Sequence, residues 1–140
     1  MSQGFSAAGS AAHAVVQRQL LLDTTFVSDL DSELTNRHTG PARRFARQFP
    51  NARVFVSVIT VEEFYEKRGR EAARELAARF AVLGLHVADA LRCGLLQTRA
   101  PRRLGENDAW LAAQALRGGF ELVTRDQRFD DVRGLEIARY

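Results

Sequence analysis

The sequence predicts a single α/β domain of three layers, a mostly parallel sheet with helices on both faces. Three observations point to it. The 140 residues are one domain's worth of chain, enough for one good core and too few for two. Hydrophobic residues at 46% and charged residues at 26% are globular proportions, which excludes a disordered, collagen-like or coiled-coil chain. From Gln19 onward, short apolar runs alternate with segments of helical period, the pattern of strands joined by crossover helices.

The opening is aperiodic and rich in Ser, Ala and Gly, so residues 1–18 read as a flexible extension and 19–140 as the folded domain. Leu20, Leu21 and Leu22 form a buried first strand ending at Asp23. A helix follows, with Phe26, Val27, Leu30 and Leu34 on one side. Pro41 after Gly40 opens a second helix in which Phe45 and Phe49 pair, and Pro50 ends it. Residues 53–59, dense in Val, Phe and Ile, make the clearest strand, and Thr60 starts the next helix. Gly69 breaks that helix. Residues 70–82 form a longer one, with Ala73, Leu76, Ala77 and Phe80 inward and Glu75 paired with Arg79 outward. A short strand over 83–87, helices over 88–98 and 106–117, a stop at Gly118 and Gly119, and strands over 120–123 and 135–138 complete the chain.

Composition narrows the function. A single cysteine, Cys93, excludes an internal disulfide, and with only 3 His it gives no Cys/His zinc framework. The longest nearly apolar run, 54–61, contains Ser57 and Thr60 and is far short of the ~20 residues of a bilayer span. No Lys or Arg precedes Arg18, so the start does not read as a secretory signal, and a cytoplasmic chain is expected. The net charge is 20 − 17 = +3. Placement tells more than the sum. Arg37, Arg43, Arg44, Arg47 and Arg53 lie in one stretch without an acid, and Arg92, Arg99, Arg102 and Arg103 in another, candidates for a surface that binds a polyanion.

In an open parallel sheet, ligands bind beyond the carboxyl ends of the strands, where loops and helix N-termini converge. Four acids are expected there: Asp23 after the first strand, Glu63 in the first turn after the second, Asp108 opening the helix before the fourth, and Asp126 just after the fourth. Each has a local explanation. Asp23 can cap a helix, Glu63 completes a capping box with Thr60, Asp108 suits a helix's first turn, and Asp126 can cap a turn. Together they would repel one another unless a cation neutralised them. Oxygen donors without Cys or His favour a hard ion, Mg²⁺ or Mn²⁺, which activates water and stabilises the charge of a phosphodiester displacement. With the basic stretches, this suggests a nuclease.

The residues also carry a resemblance. Leu21-Leu22-Asp23-Thr24-Thr25-Phe26, Val56-Ser57-Val58-Ile59-Thr60-Val61-Glu62-Glu63-Phe64, Gly105-Glu106-Asn107-Asp108-Ala109-Trp110-Leu111-Ala112-Ala113 and Leu122-Val123-Thr124-Arg125-Asp126 resemble, in order and spacing, the four signature segments of PIN-domain ribonucleases, particularly the VapC toxins of bacterial toxin–antitoxin pairs. The resemblance spans Gln19 to the C-terminus. It implies a PIN-like α/β/α fold, a Mg²⁺-dependent endoribonuclease, a frequent homodimer, and a cognate antitoxin that holds the enzyme inactive and supplies the DNA-binding part. Position by position, it implies Asp23, Glu63, Asp108 and Asp126 as the metal-binding acids, with the Thr24 and Thr124 hydroxyls around the metal or on phosphate. Glu106 is a fifth candidate acid, Thr25 departs from the Asn or Ser common after the Asp-Thr pair, and Trp110 and Leu111 read as core.

Other α/β phosphate chemistries lack their residues. There is no Gly-Lys-Ser/Thr loop and no Gly-x-Gly-x-x-Gly turn. A phosphorylated receiver domain needs a Lys at a late strand end, whereas Lys67 falls in a helix. The remaining alternative, from another class, is a PIN-like domain that binds RNA or a protein without cutting.

Overall fold

The computed structural model describes residues 17–140, and residues 1–16 of the expected extension lie outside it. Gln17 and Arg18, assigned above to the extension, are held by the domain. Gln17 donates to the Asn51 carbonyl at 2.6 Å, and Arg18 pairs with Glu121 at 2.5 Å and stacks on Phe49.

The element order is β1 (Gln19–Leu22), α1 (Thr24–Thr35), α2 (Pro41–Gln48), β2 (Arg53–Ser57), α3 (Val58–Arg68), α4 (Arg70–Arg79), β3 (Ala81–Leu83), α5 (Val87–Arg99), α6 (Glu106–Gly118), β4 (Glu121–Val123), a 3₁₀ turn (Gln127–Asp131) and β5 (Ile137–Ala138). The strands form one sheet in the order β3-β2-β1-β4-β5, and all the pairings are parallel. Alternation along the strands supplies a separate core on each face. Leu20, Leu22, Val56 and Val123 face α1–α4 and meet Phe26, Phe45, Phe64 and Leu76. Leu21, Phe55 and Leu122 face the other way and meet Leu111, Ala112 and Ala115 of α6, with Leu96 of α5. This is the expected three-layer α/β/α arrangement.

Boundaries moved where local chemistry overrides propensity. The strand expected over 53–59 stops at Ser57, whose hydroxyl accepts from the Ile59 amide at 3.0 Å and caps α3. Val58 and Ile59, β-formers by propensity, therefore occupy the first turn of a helix. The helix expected over 70–82 ends at Arg79, Phe80 caps it, and residues 81 and 82 pass into β3, expected at 83–87. That strand sits at the sheet edge with one partner and ends when β2 does. Arg79 turns to Asp31 of α1, at 3.8 Å, rather than to Glu75.

The entry to α2 sets how the chain reverses below the sheet. Gly40 and Pro41 offer no capping side chain, so the buried Glu33 carboxylate of α1 does the capping. It accepts from the amides of Gly40 (2.7 Å), Ala42 (3.0 Å) and Arg43 (3.0 Å). A Cβ on residue 40 would come within 2.6 Å of that carboxylate, so only Gly allows the approach.

Candidate active site

The strand order reverses between β1 and β4, which opens a crevice at their carboxyl ends. Asp23 and Asp126 leave these strands side by side, because the Asp23 amide donates to the Val123 carbonyl at 3.1 Å. α3 and α6 bring in Glu63 and Asp108. All four acids line one cavity of about 240 Å³, so the structure joins side chains separated by up to 103 positions of sequence.

Each is held differently. Asp23 is 5% exposed and caps α1 by accepting from the Phe26 amide at 2.7 Å. Burial, with smaller contributions from the charges of Asp108 and Asp126, pushes its carboxyl up to about 6 against the opposing hydrogen bonds from Thr124 and Phe26. Asp108, in the first turn of α6, is also raised, first by burial and then by Asp126 and Glu63, with Arg128 opposing. Asp126 is held below the usual carboxylate range because Arg128 donates to it, at 2.7 Å in the shortest contact. Glu63 accepts from the Thr24 hydroxyl at 2.5 Å and from the Asn107 amide at 3.2 Å.

The capping box assigned to Thr60 and Glu63 does not form. α3 begins at Val58, and Thr60 is fully buried with its hydroxyl 3.0 Å from that of Thr24. Glu63 therefore owes its position to the site. Glu62 is exposed, and a hydrogen bond with Glu66, followed by smaller effects of the Glu66 and Glu63 charges, raises it. Thr124, fully buried, lies beneath two of the acids: it hydrogen-bonds Asp23, and its hydroxyl accepts from the Asp126 amide at 3.0 Å. Glu106 points away, 81% exposed and 3.8 Å from Arg103. Leu111 is in the core, and Trp110 is half-buried.

Sequence reading missed Asp29, the fifth acid of the cavity, which accepts from the Tyr140 hydroxyl at 2.8 Å. Asp29 is six positions after Asp23, and its turn into the cavity depends on how α1 sits on the sheet. Lys67 and Arg128 also line the cavity. Lys67 has no partner among the described residues, whereas Arg128 spans Asp126 and, at 3.8 Å, Asp108.

The donor set consists of oxygens, as a hard divalent ion requires. Asp23 and Asp108 carry charge that their surroundings oppose, which a cation would relieve. Among the described residues, no three acid, His or Cys side chains close around a single point. Asp126 is drawn to Arg128 instead, whose guanidinium neutralises it, and Glu63 is drawn to Thr24 and Asn107.

The basic stretches do not flank this crevice together. The first runs through α2 to the start of β2, at the opposite edge of the sheet, where Arg43 is buried and donates to the His38 carbonyl at 3.2 Å. Only the second lies near the acids, at the end of α5 and in the turn before α6.

These features define an open, all-parallel α/β domain with a carboxylate crevice at its strand-order reversal. The chain belongs to the PIN domain family, whose model matches residues 20–135. No curated protein matches it in sequence. Among solved structures, the fold is similar to VapBC2 from Rickettsia felis, bound to a promoter DNA fragment (TM-score 0.70, 18% identity, 86% of this chain and 98% of that one). It is also similar to VapBC-1 from nontypeable Haemophilus influenzae (0.67, 25%, 86% and 97%). A third similar structure is VapC20 of Mycobacterium tuberculosis, described as a sarcin–ricin loop cleaving toxin (0.66, 22%, 86% and 99%). No helix among the described residues is long and apolar enough to cross a membrane.

Proposed function

We propose that this chain is a metal-dependent endoribonuclease and the toxin of a toxin–antitoxin pair. The observation that carries this reading is the meeting of Asp23, Glu63, Asp108 and Asp126, from four separate segments, in one cavity at the strand-order reversal. They would hold Mg²⁺, or Mn²⁺ in its place, which supplies an activated water and neutralises charge developing on a phosphodiester. The protein's part is to aim and separate the acids. Thr24 orients Glu63, and Thr124 orients Asp23 and Asp126 from below. The unpartnered Lys67 is placed to meet a substrate phosphate. Arg128 marks where a cation already satisfies Asp126, so a partner's Arg or Lys inserted there would block the site.

Similar solved structures include a toxin–antitoxin complex from Klebsiella pneumoniae and a member of the VapBC family of toxin–antitoxin systems from Mycobacterium tuberculosis, which supports an antitoxin partner here, and cytoplasmic RNA is the substrate of this reading. Leu85, Val87 and Leu91 are 40%, 78% and 72% exposed around the start of α5, an apolar patch suited to a homodimer.

Incubating total RNA with the purified chain tests the reading: cleavage with Mg²⁺, none with EDTA, and none with Asp23→Asn. RNA binding without cleavage in Mg²⁺ would make it a non-catalytic PIN domain. Sequencing the cut ends identifies the target. Expression of the chain alone arrests growth and expression of Asp108→Asn does not; equal growth would remove the toxin part.

A further inference from the structure

A second cavity, of about 280 Å³, lies beside the acid crevice, and Arg128 lines both. Its walls are α5, the turn after it and the segment from Arg128 to Arg133. Five arginines line it (Arg92, Arg99, Arg102, Arg128 and Arg133) against one acid, Asp131. Arg92, Arg99, Arg102 and Arg133 make no hydrogen bond or ion pair among the described residues. Elsewhere Arg18, Arg68, Arg79, Arg117 and Arg139 each pair with a carboxylate, whereas these four converge on one concavity without such a pair. Like charges gathered around one concavity repel unless an anion joins them. Between them the floor is apolar, formed by Leu95, Leu96, Leu104, Leu116 and Val132. Cations at the rim with an apolar floor match a nucleotide, whose phosphate is anionic and whose base is a flat apolar face.

We propose that this arginine-walled groove is a binding site for single-stranded RNA on one side of the scissile bond, with phosphates on Arg92, Arg99 and Arg133 and an unpaired base on the floor between them. The site rests on the nuclease reading for its substrate but not for its chemistry. Its continuity with the crevice at Arg128 makes one path from groove to acids, so α5 and the 128–133 segment would position the strand beside the cut.

The test is binding of a labelled single-stranded oligoribonucleotide in EDTA, followed by anisotropy across a salt series. A variant carrying Arg92→Gln, Arg99→Gln and Arg133→Gln should lose about tenfold or more in affinity and about 2 from the log–log salt slope, at roughly 0.7 per phosphate contact. A control carrying Arg37→Gln, Arg44→Gln and Arg53→Gln removes the same charge at the opposite sheet edge and should keep its slope within about 0.5 of the parent. Circular dichroism melting should show both variants folded, because the three groove side chains bond to no described residue and the control loses only the exposed Arg44 bond to the Thr39 carbonyl and the Arg53 stacking on Phe55. An unchanged slope in the groove variant, or equal losses in both variants, overturns the site. So does loss of binding to a Glu-rich peptide with RNA binding intact, which would make the groove a protein-docking site. RNA bound through the groove but uncut in Mg²⁺ sinks the nuclease reading and leaves the groove standing. Cleavage in Mg²⁺ with an unaltered groove slope does the reverse.

Discussion

The two ends of α1 each hold a buried carboxylate, in opposite circumstances. At its C-terminal end Glu33 receives three backbone amides of the next helix and has no acidic neighbour in its hydrogen-bonded set. At its N-terminus Asp23 receives one backbone amide and one hydroxyl, and faces the charges of Asp108 and Asp126. Similar exposure, 7% and 5%, therefore accompanies a carboxylate that closes a chain reversal and one whose charge is opposed by its surroundings. Donors that arrive from the backbone as folding proceeds make the first structural. Acids that arrive from other segments leave the second with a charge that a bound cation would relieve, a perturbation of the kind that clusters at functional sites.

The sharpest way to break the comparison is to remove each acid in turn. Asp108→Asn or Asp126→Asn should lower RNA cleavage by roughly 10³-fold or more, and the double variant should fall little further, because ligands sharing an ion act as a unit. Glu33→Gln should cleave at near the parental rate well below its melting temperature. A nearly active Asp108→Asn would take that residue out of the site.

Stability should show the reverse order. Glu33→Ala strands three amide donors at the start of α2 and should cost roughly 2–4 kcal/mol, read as a lower urea midpoint at unchanged slope. Asp23→Asn keeps a good cap while deleting an opposed charge, so at pH 7.5 without divalent ions it should melt above the parent. The gain should be on the order of 1–3 kcal/mol. Asp23 titrates near 6 when folded against 3.8 ordinarily, so the folded state holds the proton more tightly. Its contribution to stability is complete below about pH 4 and is lost as pH rises through about 6. Removing the carboxyl should flatten the melting temperature of the variant across that interval relative to the parent. Mg²⁺ should raise the melting temperature of the parent more than that of Asp23→Asn, and equal shifts in both would show that the ion does not use this carboxylate.

The same contrast explains what the sequence made legible. Asp23 after three Leu, Asp108 in a helix's first turn and Asp126 beyond a strand are each tied to the end of a short element, so alternation and helical period place them without knowledge of the fold. Glu33 carries no such mark, because its partners lie seven to ten positions away across a reversal that its own hydrogen bonds create. Asp29 and Lys67 enter the crevice by the rotation of α1 and α3 on the sheet. The basic stretches misled for the same reason. Spacing shows that Arg43 and Arg99 lie in acid-free runs, but the topology sends one run to the amino edge of the sheet and the other to the carboxyl edge. Ser57 was decisive at the end of β2: one hydroxyl turned Val58 and Ile59, strand formers by composition, into helix.

The smallest expected effect sharpens the comparison at the level of adjacent residues. Glu62 and Glu63 follow each other on α3, about 100° apart around its axis. Glu63 is turned to Thr24 and Asn107 inside the crevice, whereas Glu62 stands in solvent beside Glu66, one turn along, whose hydrogen bond and charge raise the Glu62 carboxyl. Glu63→Gln keeps a side chain able to accept from the Thr24 hydroxyl but removes the charge, so cleavage should fall sharply while the melting temperature moves little. Glu62→Gln deletes one member of a like-charged, exposed pair. It should leave cleavage unchanged and the melting temperature equal or slightly higher, as a surface substitution does when it relieves repulsion. Cleavage rates and melting curves for the two proteins, taken side by side in Mg²⁺, decide it. An inactive Glu62→Gln beside an active Glu63→Gln would mean that α3 presents a different face to the metal, and would remove Glu63 from the set of acids.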